Sequence, residues 1–193
     1  MAKGQITETI TAMLEGFLSE HELELYKVEY VKEDGERYLR VYIEKPEPAP
    51  GEPETYIGSE DCVLVSEYLS ERLDREDPIE ENYVLEVSSP GMDRELIRDD
   101  DYRRFAGKPV DVKLKEAFEG RKGFAEVTLI GLTPKADGAA GTGNGAADAK
   151  LLVIEETEII PPPKKGMKPK IGATTRYEIP FEIVGKVSLS VIF

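Results

Sequence analysis

Cysteine and histidine are almost missing from this 193-residue sequence, which has Cys62 and His21 as its single examples of each. One cysteine excludes an internal disulfide and any zinc cluster built on thiolates, and it points to a reducing compartment. One histidine excludes paired-histidine metal motifs and histidine networks. No apolar run approaches the roughly 18 residues that a membrane-spanning helix needs, and threonine and glutamate interrupt any signal core in the opening stretch MAKGQITETITAM. A soluble cytoplasmic protein is the expectation. Basic residues are also scarce, 25 against 39 Asp and Glu, for a formal charge of -14 and a pI near 4.7. That balance excludes a chain that coats nucleic acid non-specifically, because such affinity comes from clustered Lys and Arg.

What remains is enough to fold. Apolar residues make up 40% of the chain and charged residues 33%, and the length suits one or two domains of about 100 to 200 residues each. The charge is unevenly spread. Residues 1–93 hold 24 acidic and 8 basic side chains, net -16, whereas residues 94–193 hold 15 and 17, net +2. Such asymmetry points to two modules with different partners, since each module's field is set by its own surface; the plainer alternative is that acidic surface only keeps the chain soluble.

In the first module Ile6, Ile10, Met13, Phe17 and Leu18 fall on one stripe of a helix. The period then changes to two. Tyr26, Val28 and Tyr30 predict one strand and Leu39, Val41 and Ile43 a second, with the turn dipeptide Asp34-Gly35 between them as an antiparallel hairpin. After a proline-rich loop, Ser59 is the expected N-cap of a second helix. Glu60 and Asp61 sit at its positive end, and Cys62, Val65, Leu69 and Leu73 line its apolar face. Cys62 reads as a small core residue, because nothing nearby supplies a base, and His21 as a loop residue. Asp77-Pro78 ends this helix, and Tyr83, Leu85 and Val87 alternate as a third strand. The order helix, strand, strand, helix, strand predicts a three-stranded α/β sandwich-like layer with one helical crossover.

Residues 99–107 read as a short helical joint ending at Gly107. Beyond it Val110, Val112 and Leu114, then Phe124, Val127 and Leu129, then residues 151–154, and finally Tyr177, Ile179 and Phe181 with residues 183–192 predict several short strands and no long helix. The expected fold class is therefore α+β, with domains at 1–98 and 108–193, the second a small all-β barrel or sandwich. Two insertions, at 134–150 and 156–174, are expected to be mobile. The first is Gly- and Ala-rich and the second carries a stiff basic proline loop with lysines from 164 to 170.

Most apparent motifs have plain readings. Gly141, Gly143 and Gly145 lie in low-complexity sequence with no helix start or Lys-Ser/Thr after them, so they do not form a phosphate loop. Ser88 and Ser89 lack a nucleophile elbow, and the acidic runs match no calcium loop. One segment resists. From Leu85 to Arg94 a strand runs into Ser88-Ser89, a Pro90-Gly91 turn in which glycine takes positive φ, and then Asp93 and Arg94. Asp93 and Arg94 are either a structural latch or a pair displayed to a partner.

LEVSSPGMDRELI at 85–97, EDCVLVSEYLSERLD at 60–74, EDPI at 76–79, the strand RVYIEK and YRRFAGKPVDVKL at 102–114 resemble the RimP-type ribosome maturation factors. The resemblance covers most of residues 5–132 and resumes at YEIPFEIVGKVSL; this chain has Met92 and Glu95 where the family has Leu and Pro, and adds loops of its own. It implies an amino-terminal α+β domain and a carboxy-terminal Sm-like β-barrel. It also implies a non-catalytic, monomeric assembly factor without cofactor or metal, which binds the small ribosomal subunit late in maturation. The implied partner is a small-subunit protein near the decoding centre. Ser88, Ser89, Pro90, Gly91, Asp93 and Arg94 are the candidate partner-binding residues, and Lys113, Lys115, Arg121 and Lys122 the candidates for rRNA contact. An acidic module suits a basic ribosomal protein. A free-standing RNA-binding regulator is the alternative.

Overall fold

The computed structural model describes residues 3–134, 150–160 and 170–191. The Gly/Ala tip expected within 134–150, the glycines Gly141, Gly143 and Gly145, and the basic proline loop with Lys164, Lys165 and Lys168 lie outside the described residues, apart from the flanking Pro134 and Lys150. The chain divides into two compact units, Met1–Gly91 and Met92–Phe193. No helix among the described residues is long and apolar enough to cross a membrane.

In the first unit α1 (Lys3–Glu20) is followed by β1 (Glu24–Glu33), β2 (Glu36–Glu44), α2 (Ser59–Glu76) and β3 (Val84–Ser88). β1 and β2 form the hairpin that Asp34-Gly35 predicts, and both turn residues take positive φ, 49° and 94°. This is the backbone that a two-residue turn needs to match strand twist. β3 pairs parallel to β2, so α2 is the crossover and the sheet order is β1-β2-β3. Ile6, Ile10, Met13, Leu14 and Leu18 of α1 and Val65, Leu69 and Leu73 of α2 close over Leu39, Val41 and Ile43 of β2 in one core. Cys62 packs against this core, and burial pushes its thiol pKa up. Ser59 is not the N-cap. Gly58 holds that position, and Asp61 reaches back to accept the Gly58 N–H at 2.9 Å, because a carboxylate at the third helical position has the length to satisfy the cap backbone. Asp77 takes φ 43° and donates its N–H to the Leu73 carbonyl, closing α2 before Pro78.

The second unit holds α3 (Asp99–Arg104), β4 (Pro109–Phe118), β5 (Arg121–Pro134), β6 (Lys150–Ile160), β7 (Lys170–Pro180), a single 3-10 turn at Phe181–Ile183, and β8 (Val184–Leu189). The five strands form an antiparallel sheet in the order β7-β6-β5-β4-β8. β7 and β8 end that order, and among the described residues no ladder joins them to close the sheet into the expected barrel. Val110, Val112, Phe124, Val127, Leu129, Leu152, Ile154, Ile179 and Val187 supply its core.

Two further details differ from the expectation. The segment from Arg94 to Leu96 and the short helix after it belong to the second unit's interior, since Leu96 and Tyr102 are buried in its core. The ends of the 156–174 insertion are strand: Glu156 pairs with Thr175, Thr157 with Thr174 and Ile159 with Ile171. β-branched residues recur there in both arms, and strand pairing satisfies their backbone.

Candidate functional site

β3 delivers the distinctive segment. Its side chains alternate along the strand, and Ser88 stands opposite Tyr42 in the parallel register with β2. Ser88 and Ser89 are exposed, Pro90 is half-buried, and Gly91 takes φ 85°. The glycine requirement read from the sequence therefore has a backbone cause, although the bend itself falls on Met92 and Asp93. Gly91→Val is expected to lower stability by about 1 kcal/mol or more, because a Cβ at positive φ crowds the carbonyl; a urea midpoint equal to that of the parent chain would show the strain to be absent.

Within the second unit, Asp93 and Arg94 part company. Asp93 is exposed, whereas the Arg94 side chain is 5% exposed and meets Asp101, itself 2% exposed, at 2.8 Å. The guanidinium lies 4.7 Å from the centre of the Phe105 ring. The other oxygen of Asp101 accepts the N–H groups of Ile97 and Arg98, each at 2.9 Å. Burial alone would raise the Asp101 pKa; these backbone donors and Arg94 together hold it below the usual carboxylate value. Around them the backbone of Arg94 accepts the Leu189 N–H at 2.9 Å, Leu96 donates to the Val187 carbonyl at 2.8 Å, and Glu95 bridges Ser188. Arg94 is thus built into the second unit against β8, and only its neighbour is displayed.

The four candidate rRNA contacts also separate. Lys113, Lys115 and Lys122 are exposed, and Lys115 reaches the Glu182 carbonyl at 3.3 Å. Arg121 makes a bidentate pair with Glu156 at 2.7 and 2.8 Å and stacks 4.3 Å from the Phe124 ring centre. Its guanidinium is engaged within the sheet. Sequence reasoning missed Lys186, which stands directly opposite Lys113 in the β4–β8 register with its ammonium 3.9 Å from Glu95. Two like charges facing each other across an antiparallel pair repel, and an anion over that row would relieve the repulsion. The signal for Lys186 is a pairing between segments some 70 residues apart, which no local pattern carries.

The first unit presents carboxylates. On its sheet Arg40 is held by Glu33 at 2.7 and 2.8 Å and by Glu86 at 2.7 Å, which raises the Arg40 pKa further. His21 shares its Nδ1 with the Phe17 carbonyl at 2.8 Å, at the end of α1. Among the described residues no group of three His, Cys, Asp or Glu side chains is placed to hold a metal ion.

Against known families, the RimP N-terminal domain matches residues 13–93. The match runs from the middle of α1 through both helices and the whole three-stranded sheet to Asp93. The amino-terminal unit thus carries the RimP N-terminal domain, and this match supports the RimP-type ribosome maturation factor family.

Proposed function

We propose that the protein is a non-catalytic assembly factor that binds the small ribosomal subunit in the cytoplasm late in its maturation. The observation that carries this reading is the RimP N-terminal domain at residues 13–93, lying within a region of net charge -16. A surface so acidic complements a basic ribosomal protein and speeds its approach, and it repels bare rRNA. In the proposal Ser88, Ser89, Pro90, Gly91 and Asp93 shape the displayed turn that meets the partner, while Arg94 positions the start of the second unit. The second unit, which we read as an Sm-like barrel acting in a monomer, contacts rRNA phosphates through Lys113, Lys115 and Lys122, with Arg121 bracing the sheet beneath them.

A pull-down of the full chain from cell extract tests the reading. Immature small subunits in the bound fraction are the expected result, and scattered messenger RNAs in their place would favour the RNA-binding regulator. Affinity for the basic ribosomal partner is expected to fall steeply as the Debye length shrinks from about 10 Å to about 3 Å between 0.1 and 1 M salt. A dissociation constant indifferent to salt would remove the charge argument. Replacing Lys113, Lys115 and Lys122 together with Gln is expected to flatten the salt slope of rRNA binding by about 2, at roughly 0.7 for each single-strand phosphate that no longer meets a cation. An unchanged slope would exclude these lysines from phosphate binding.

A further inference from the structure

We propose that Lys113 and Lys186 together hold one phosphate of an RNA strand on the outer face of the β4–β8 pair, with Lys115 one step along for the next phosphate. This rests on the reading that the second unit meets rRNA through its lysines. It adds Lys186 to them, fixes which two ammoniums share a phosphate, and names the backbone beneath.

Register builds the seat. Val112 pairs with Phe124 on β5 and with Val187 on β8, and all three are buried in the core of the second unit. Successive side chains on a strand point to opposite faces, so the next row, Gly123–Lys113–Lys186, stands on the face away from that core. Lys113 and Lys186 are both exposed. Side chains directly opposite on antiparallel strands start about 5 Å apart, and the two long stems can close their ammoniums on one group. Leu114 packs against the core, which returns the exposed Lys115 to the face of Lys113, one same-side step of about 6.8 Å along β4.

Glycine keeps the floor bare. A Cβ at Gly123 would come 2.5 Å from the Val112 carbonyl oxygen, so the close approach of the backbones excludes a side chain beside Lys113. Gly185 is the extra residue of β8 at the register shift between Lys186 and Val184. A Cβ there would come 3.2 Å from the Lys113 carbonyl oxygen and 3.5 Å from the Lys115 Cγ, against the stem of that lysine. The nearby acceptors leave the row cationic. Lys186 Nζ is 3.9 Å from Glu95, beyond hydrogen-bond length. Asp111, one same-side step before Lys113, accepts the Glu126 N–H at 2.8 Å. Lys115 gives one of its three ammonium protons to the Glu182 carbonyl at 3.3 Å and keeps two. Two cations facing each other repel, and a phosphate between them turns that repulsion into attraction, since its oxygens accept from both. On a ribosomal subunit RNA is the partner that supplies such anions in a row.

The probe is an oligouridylate of about twelve nucleotides, titrated into the full-length chain at low salt and followed by fluorescence anisotropy. Lys113→Gln and Lys186→Gln are each expected to weaken binding at least threefold, and the double variant clearly less than the product of the two, because both side chains hold the same phosphate. Sodium phosphate is expected to raise the melting temperature of the parent chain above its value in sodium chloride of equal ionic strength, and this rise should vanish in Lys186→Gln with its circular dichroism spectrum unchanged. Unchanged oligonucleotide affinity in both single variants would overturn the proposal, and if the phosphate effect persisted beside it the row would be a seat for free phosphate. Strictly multiplicative losses would give each lysine a phosphate of its own and overturn the shared seat. Hexaglutamate that displaced the oligonucleotide at equal charge concentration would overturn it too, by assigning the row to an acidic protein segment. The two readings fail separately. If the parent chain does not capture immature small subunits, the proposed function falls; if it captures them and Lys186→Gln binds the oligonucleotide as the parent does, only the seat falls.

Discussion

Asp101→Ala should cost the second unit about 3–5 kcal/mol, the range for breaking a buried ion pair from one side. The loss exceeds that of a surface pair because the Arg94 charge is left inside, stacked on Phe105 and 5% exposed, and because the Ile97 and Arg98 N–H groups lose their acceptor. Amide hydrogen exchange on the full chain reads the effect where it belongs, in β4, β5 and β8. A change below about 1 kcal/mol there would show the pair to be dispensable, and the segment from Arg94 to Leu96 would then owe its place to backbone pairing alone. Acid offers a second handle. The folded-state pKa of Asp101 is lowered, so the unfolded chain takes up the proton more readily. The stability this carboxylate contributes is complete above the unfolded value of about 3.9 and is lost as pH falls through the lower folded one. The stability gap between the parent chain and Asp101→Asn should therefore narrow as pH drops below about 4, and a gap that widened would reverse the assigned sign.

Leu69→Ala should cost the first unit about 2–5 kcal/mol, since a fully buried leucine leaves both a lost transfer free energy and a cavity. Leu69 is 0% exposed in the middle of α2, with Val65 and Leu73 on the same buried stripe and β2 beneath. The loss is expected to remain within Met1–Gly91, with amides of the second unit exchanging as before. Equal loss of protection in both units would mean that they unfold as one, and the boundary at Gly91 would be a feature of compactness without a folding boundary. Because the acidic surface belongs to the first unit, the same variant should lose the salt-dependent part of partner binding in proportion to the fraction unfolded.

Both predictions concern residues whose roles differ in how far the sequence reveals them. Leu69 is legible: its spacing from Val65 and Leu73 repeats the helical period, and burial of an amphipathic stripe follows from that period alone. Arg94 is not. A guanidinium four residues after a proline, next to an aspartate in an otherwise exposed turn, has the local signature of a displayed charge. Its partner Asp101 sits seven residues on, in a run of three aspartates that reads locally as helix-start acidity. Arg121 has the same difficulty. It follows the β4–β5 turn like any exposed cation, and only the pairing of β5 with β6 and of β6 with β7 brings Glu156 and Tyr177 to it.

What the sequence by itself determined here is local and periodic. It includes the two amphipathic helices and the hairpin at Asp34-Gly35. It also includes the glycine at position 91, the short strands of the second half and the division of charge between the halves, and each of these depends on residues within a turn or two of one another. The resemblance over most of residues 5–132 pointed to a family, because a motif survives as a string. Tertiary structure alone decided that Arg94 is interior, that Lys186 faces Lys113, and that Gly58 rather than Ser59 caps α2. The physical reason is common to all but the cap: each depends on which distant backbones pair and which side chains close over them, and a periodicity of two or 3.6 states which face a residue occupies without stating what will stand opposite it. The cap was a contest between neighbours, settled when the Asp61 carboxylate satisfied the Gly58 N–H while held by Lys45 at 2.9 Å from across the loop.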